Sequence, residues 1–175
     1  MPDRVTGGSP GFADPRAAAI AEFLRAIGIE VEARELSGGT FLPGVALECG
    51  RVLVDEAYLT YPGDVLHEGG HVAIAPAAAR AQLTGSVEVP GIDMGELEVA
   101  VVAWSYAAAL AIGISPAEVF HAGGYRGRSE GILATFAAGV YPGVHVLEAA
   151  GMTATGPRGE ALEVQPYPHM TRWLR

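Results

Sequence analysis

The chain has no lysine, no asparagine and a single cysteine, Cys49. One thiol allows neither an internal disulfide framework nor a zinc-cysteine cluster, and a reducing cytoplasm fits that usage. Cations are scarce too: all 11 are arginine, against 20 acids, giving a net charge of −9 and a pI near 4.9. Phosphate affinity comes from clustered Lys and Arg, so the balance argues against a nucleic-acid-binding surface. Charged residues make up only 18% of the chain and apolar ones 50%. That excludes global disorder and supplies a sizeable core. The 24 glycines are about twice the usual share. Together with the missing Lys and Asn, they read as the coding bias of a GC-rich genome. At 175 residues the length suits one compact domain.

The opening Met1-Pro2-Asp3-Arg4 is followed by Gly and Ser with no apolar run, so no secretory signal is expected. Residues 1–13 are expected to form a flexible tail before one domain over 14–175. Asp14-Pro15 reads as a helix N-cap with Pro at the first helical position. The alternation over 29–36 predicts a half-buried strand, and 45–56 predicts a hairpin turning at Cys49-Gly50. Asp64 is a plausible N-cap for a helix running from Val65 to about Pro76. A polar loop over 84–92 then leads to a long apolar helix from about 94 to 113. Residues 97–114 approach membrane-spanning length. They contain Glu98 and lack a positive flank, so a buried helix is the better reading. A helix, a few strands and then mostly helices make the expected class α+β, with a small antiparallel sheet packed on helices.

The predicted helix at Val65 carries His67-Glu68-Gly69-Gly70-His71, an HExxH pattern. Residues four apart share a helix face, so both imidazoles can reach one metal ion. Glu68 sits one position round, where it can take a proton from a water held at the ion as that water attacks a carbonyl. Zinc (Zn2+) suits nitrogen and oxygen donors and keeps a position open for water. Gly69 and Gly70 each cost a helix interior about 1 kcal/mol relative to Ala, which suggests that something approaches the backbone closely.

A catalytic zinc needs a third protein ligand, and Glu96, Glu98, His121, His145 and His169 are the candidates. Glu96 and Glu98 lie roughly 200° apart around a helix, so at most one faces the ion. Asp93 and Glu96 have capping-box spacing, which gives Glu96 a structural task. Glu98 is then the lone acid inside an apolar helix, where an uncoordinated carboxylate is expensive. Glu98 is the third ligand on this reading.

His67, Glu68 and His71, followed by Glu98 on the next helix, resemble the gluzincin zinc metallopeptidases, most closely the compact intracellular ImmA/IrrE-type members. The resemblance spans roughly residues 50–110. It implies that His67, His71 and Glu98 hold zinc and that Glu68 is the general base of a peptidase. The DNA-binding module of some such proteins has no counterpart here. The Asn-Glu pairing that thermolysin-like enzymes carry around the third ligand has none either.

Gluzincins often add a His or Tyr that stabilises the developing oxyanion. Here the segment 120–127 offers His121 and Tyr125, although its plain reading is a helix–helix connection with exposed polar residues. His145 reads as a core histidine, His169 as a surface one, Trp104 and Tyr106 as core packing with satisfied polar tips, and Cys49 as structural. Ser105 has no evident base and is not expected to be a nucleophile. The strand Arg51-Val52-Leu53-Val54-Asp55 could form a sheet edge that pairs with an extended peptide, or it could be covered by the N-terminal strand. The expected activity is hydrolysis of a peptide or protein substrate in the cytoplasm, without nucleic acid or membrane. A homo-oligomer is compatible with the sequence. Two rivals share the site: a zinc hydrolase of non-peptide amides, and a non-catalytic zinc protein closed by a fourth ligand such as His121.

Overall fold

The structure, a computed structural model, describes residues 11–37, 39–85, 88 and 93–175. Most of the expected tail and part of the 84–92 loop therefore lie outside the described residues. Within the described part of that tail, Phe12 is buried. The backbone amides of Ala13 and Asp14 donate to the Glu56 carboxylate.

Helix α1, Pro15–Ala26, starts where the Asp14-Pro15 pair predicts. The Asp14 side chain accepts from the backbone N–H groups of Arg16 and Ala17, two of the donors a helix start leaves unpaired. Ala17, Ile20, Ala21 and Leu24 are its buried residues, the spacing of one helix face. Strand β1, Val31–Ala33, follows. It is shorter than the sequence alternation: three residues stand in register with β3, and Glu30 and Arg34 each add one flanking backbone bond to it. Strands β2, Val45–Glu48, and β3, Arg51–Val54, form the expected hairpin. Its turn puts Cys49 at φ 52° and Gly50 at φ 74°, two successive positive values of the kind a tight two-residue hairpin demands.

The sheet order is β1-β3-β2, with β3 antiparallel to β2 but parallel to β1. The sheet is therefore mixed, not antiparallel as expected. The reason is topological: after β1 the chain crosses over before the hairpin, so β2 takes one side of β3 and β1 the other, in the same direction as β3. The run Val52-Leu53-Val54 is buried at every position, as befits a central strand covered on both faces. The possible edge role of this strand does not hold, and the alternative, coverage by the N-terminal strand, does.

Helix α2, Gly63–Ile74, is the centre of the molecule and packs against α1, β2, β3 and the two helices α4 (Met94–Ile112) and α5 (Pro116–Val119). It opens one residue before Asp64, with Pro62 at the cap position and no side-chain cap bond. Asp64 is therefore not the N-cap; it lies within the first turn and is buried. A Cβ on Gly63 would strike the backbone of Glu118 and Val119, so the first residue of α2 must be glycine for α5 to pack there. Gly69 and Gly70 explain themselves through packing. A Cβ at Gly69 would lie 2.5 Å from Leu24 Cδ2, and one at Gly70 would lie 3.0 Å from Val101 Cγ1 and 3.2 Å from Trp104 Cε3. The close approach expected at these glycines is that of α1 and α4.

The short helix α3, Ala77–Arg80, follows Pro76. Helix α4 is capped by the Asp93 side chain and ends at Gly113 in the left-handed region. It is long and apolar enough to cross a membrane, with mean hydropathy 1.4, but half of its apolar window is buried inside the protein. It serves as a core helix against α1, α2, α5 and α7 (Val144–Ala149). Trp104 is fully buried, and its indole N–H donates to Trp173 O at 3.0 Å. Tyr106 is half-buried against Phe136 and Tyr141, and its hydroxyl has no bond among the described residues. The remaining helices α6, Ser129–Ala137, and α8, Gly156–Ala161, are short. Among the described residues, eight α-helices and a three-stranded sheet make a compact α+β arrangement.

The same substitution is expected to act with opposite sign at two helical glycines. Gly69→Ala gains helix propensity but drives a methyl into buried Leu24, a net loss of about 1–3 kcal/mol. Gly131→Ala in α6 meets nothing within 4 Å and should gain about 0.5–1 kcal/mol. Denaturant midpoints of the two variants against the parent check both signs.

Candidate metal centre

Every residue of α2 is buried except His67 and Glu68. The central helix thus meets solvent only at the first two residues of the HExxH pattern, and His71, one turn on, is 2% exposed. The imidazoles face one another as expected for positions four apart, with Nε2 atoms 3.2 Å apart. From α4, Glu98 completes the group: Oε1 lies 3.4 Å from His71 Nε2 and Oε2 lies 3.6 Å from His67 Nε2. Tetrahedral zinc, with bonds of about 2.0–2.1 Å, holds its donors about 3.3 Å apart. The three observed separations bracket that value, so the donor set fits the ion in both chemistry and spacing.

Burial holds the imidazoles in the form a metal requires. It lowers His67 to about 4, with the His121 charge adding to the effect, and lowers His71 to about 3, with His67 adding. Both rings are therefore neutral near pH 7. Glu98 is raised by desolvation, yet 48% of its side chain is exposed. The supposed high cost of leaving this acid uncoordinated was thus too strong. Its distance to the two Nε2 atoms, not its burial, selects it. Glu96 is exposed and outside the group. Asp93 caps α4 through the N–H groups of Gly95 and Glu96, and the return bond of a capping box is not made among the described residues.

Glu68 flanks the triad. Its carboxylate has no hydrogen bond or ion pair among the described residues. Burial, then the charges of Glu98 and Asp64, push it up to about 7. A carboxyl near neutrality can both take and return a proton at physiological pH.

The 120–127 segment is more than a plain connection. His121 Nε2 is 2.9 Å from Asp64 Oδ1, both side chains being nearly buried. The imidazole stacks on Tyr61 with ring centroids 3.6 Å apart. Ser129 Oγ donates to His121 O at 2.6 Å. Asp64 is raised by burial, against the opposing pull of His121. Tyr125 Oη is 3.1 Å from His67 Nδ1, and burial, with three nearby carboxylates, keeps its phenol protonated. Tyr125 and Arg126 both have φ 54°. Left-handed backbone at residues other than glycine costs on the order of 1–3 kcal/mol each. A Cβ at Gly123 would lie 2.5 Å from Tyr61 Oη, and one at Gly124 would lie 3.0 Å from His121 Cε1. The glycine pair between His121 and Tyr125 was the sequence signal that this segment packs tightly.

The other candidates lie elsewhere. His145 is exposed on α7 and is not the core histidine expected, because α7 turns that face to solvent while burying Val144 and Leu147. His169 is exposed, as expected. Ser105 is buried and its hydroxyl has no bond among the described residues. Cys49 is free and exposed in the hairpin turn. His121, the fourth ligand a closed site would need, is bonded to Asp64, and three donors make up the cluster among the described residues.

Comparison with protein families, with curated proteins and with solved structures finds no match for this chain.

Elemental analysis of protein exchanged into zinc and freed of excess should give one equivalent. Glu98→Ala should lower zinc affinity by at least tenfold, whereas Glu96→Ala should leave it within twofold, roughly the scale of losing one donor.

Proposed function

We propose that this protein is a zinc-dependent hydrolase of peptide bonds working in the cytoplasm. The observation that carries the reading is the cluster of His67, His71 and Glu98: the two Nε2 atoms are 3.2 Å apart, and the Glu98 carboxylate places Oε1 3.4 Å from His71 and Oε2 3.6 Å from His67. The unpaired Glu68 carboxyl beside it gives the site a base. The resemblance of these four residues to the gluzincin pattern points the same way.

His67, His71 and Glu98 would hold the metal through Nε2, Nε2 and the carboxylate. When bound, zinc supplies Lewis-acid activation of a water and of the scissile carbonyl. Glu68 takes the proton released as that water attacks and passes it to the departing amine nitrogen, so one carboxyl serves as base and then as acid. A carboxyl held near 7 suits both halves of that exchange. Glu98 is half-exposed and no fourth donor joins the cluster among the described residues, which favours a hydrolase over a closed structural site.

The test is cleavage of a mixed peptide library by zinc-loaded protein, read by mass spectrometry as new termini. Glu68→Gln should retain zinc and lose cleavage by about 100- to 10,000-fold. Undiminished cleavage by that variant would remove Glu68 from the mechanism. Absence of cleavage by the zinc-loaded parent would remove the peptidase reading.

A further inference from the structure

We propose that Tyr125 is a positioning residue for the metal ligand His67, accepting a hydrogen bond from its Nδ1–H and so aiming Nε2 at the metal. The inference rests on the metal reading above and adds to it a residue outside the HExxH pattern and its downstream acid.

The two histidines are held differently. His71 is 2% exposed and wedged in the α2–α4 contact, while its Nδ1 has no partner among the described residues. Packing alone fixes that ring. His67 is one of two α2 residues left partly open to solvent, so its ring needs another restraint. A neutral imidazole carries one proton. If Nε2 is to offer a lone pair to a metal, the proton must sit on Nδ1, where an acceptor fixes the tautomer and the ring's orientation. Among the described residues, the group brought to that nitrogen is Tyr125 Oη, at 3.1 Å. The phenol ring also meets the imidazole edge-on, with centroids 5.7 Å apart and planes at 83°.

The segment bearing Tyr125 is built to hold this contact. His121 ties it to Asp64 on α2 at 2.9 Å, Ser129 ties the far side to His121 O at 2.6 Å, and Phe120 packs against the Tyr125 ring. Between these anchors Tyr125 and Arg126 are kept in the left-handed region. Strain of this sort persists only where surrounding contacts over-determine it, and here its product is the placement of one hydroxyl on one ligand.

Tyr125→Phe removes that hydroxyl and keeps the ring. Zinc affinity, measured by competition with a chromophoric chelator, should weaken 10- to 100-fold, the range for losing an outer partner of a ligating histidine. The thermal midpoint of the metal-free variant should match the parent, showing that the fold is intact. NMR of the zinc-loaded proteins supplies a readout that general loosening would not produce. The His67 Nδ1–H proton should shift and exchange faster with solvent in the variant, while that of His71 stays put. Unchanged affinity with an unmoved His67 signal would overturn the proposal, as would equal changes at both histidines. A parent that takes up no zinc would overturn this proposal and the metal reading together. A parent that binds zinc but cleaves nothing would sink only the hydrolase reading, since no part of this test needs turnover.

Discussion

Everything in this protein depends on how closely its helices approach α2. Leu24 of α1 stands where a Cβ at Gly69 would be, and Val101 and Trp104 of α4 stand against Gly70. The first contact seats α1 on α2; the second seats α4 on α2, and that close approach accompanies Glu98 lying 3.4 and 3.6 Å from two imidazole nitrogens. The glycines of His67-Glu68-Gly69-Gly70-His71 are thus the packing half of the site, and the charged and imidazole residues are its chemical half. A bulkier residue at Gly70 would push α4 outward and spread the donors, whereas one at Gly69 would press on α1.

Burial of α2 on nearly every side has an electrostatic consequence. Desolvation lowers both histidines and raises Glu68. The rings stay neutral and a carboxyl is held near neutrality within a few ångströms of solvent. The arrangement is costly for folding, because uncharged imidazoles and a half-desolvated acid occupy space that apolar side chains could fill. Such perturbed groups, converging at the one opening of an otherwise buried helix, make this opening the candidate functional site. The Asp64–His121 pair and Tyr125 add a second layer that holds this opening in shape.

Several features were legible in the sequence because they depend on local chemistry. Asp14-Pro15 and Asp93 begin helices through bonds made within three residues. Cys49-Gly50 turns a hairpin because its neighbours alternate, and His67 and His71 share a face because a helix repeats every 3.6 residues. Other features misled for equally local reasons. Asp64 has the composition of an N-cap, yet the helix opens one residue ahead of it and its carboxylate pairs with His121, 57 residues away. Val52-Leu53-Val54 was open to reading as an edge, yet its uninterrupted apolar run suited a strand covered on both faces. The 120–127 segment looked like a polar connection because nothing in its composition names the helix it packs against.

The sequence alone determined the α+β class and the helix that carries the HExxH pattern, since each follows from periodicity or capping over a few residues. It named Glu98 as a candidate, but distance in the folded chain is what groups that acid with the two histidines. Only the tertiary structure decided that the donors converge at a spacing a zinc ion accepts. It alone paired Asp64 with His121, set Tyr125 on His67, ran β1 parallel to β3 and turned His145 to solvent. Those outcomes join residues tens of positions apart, and they are fixed by which helices can approach one another, a property that no local pattern encodes.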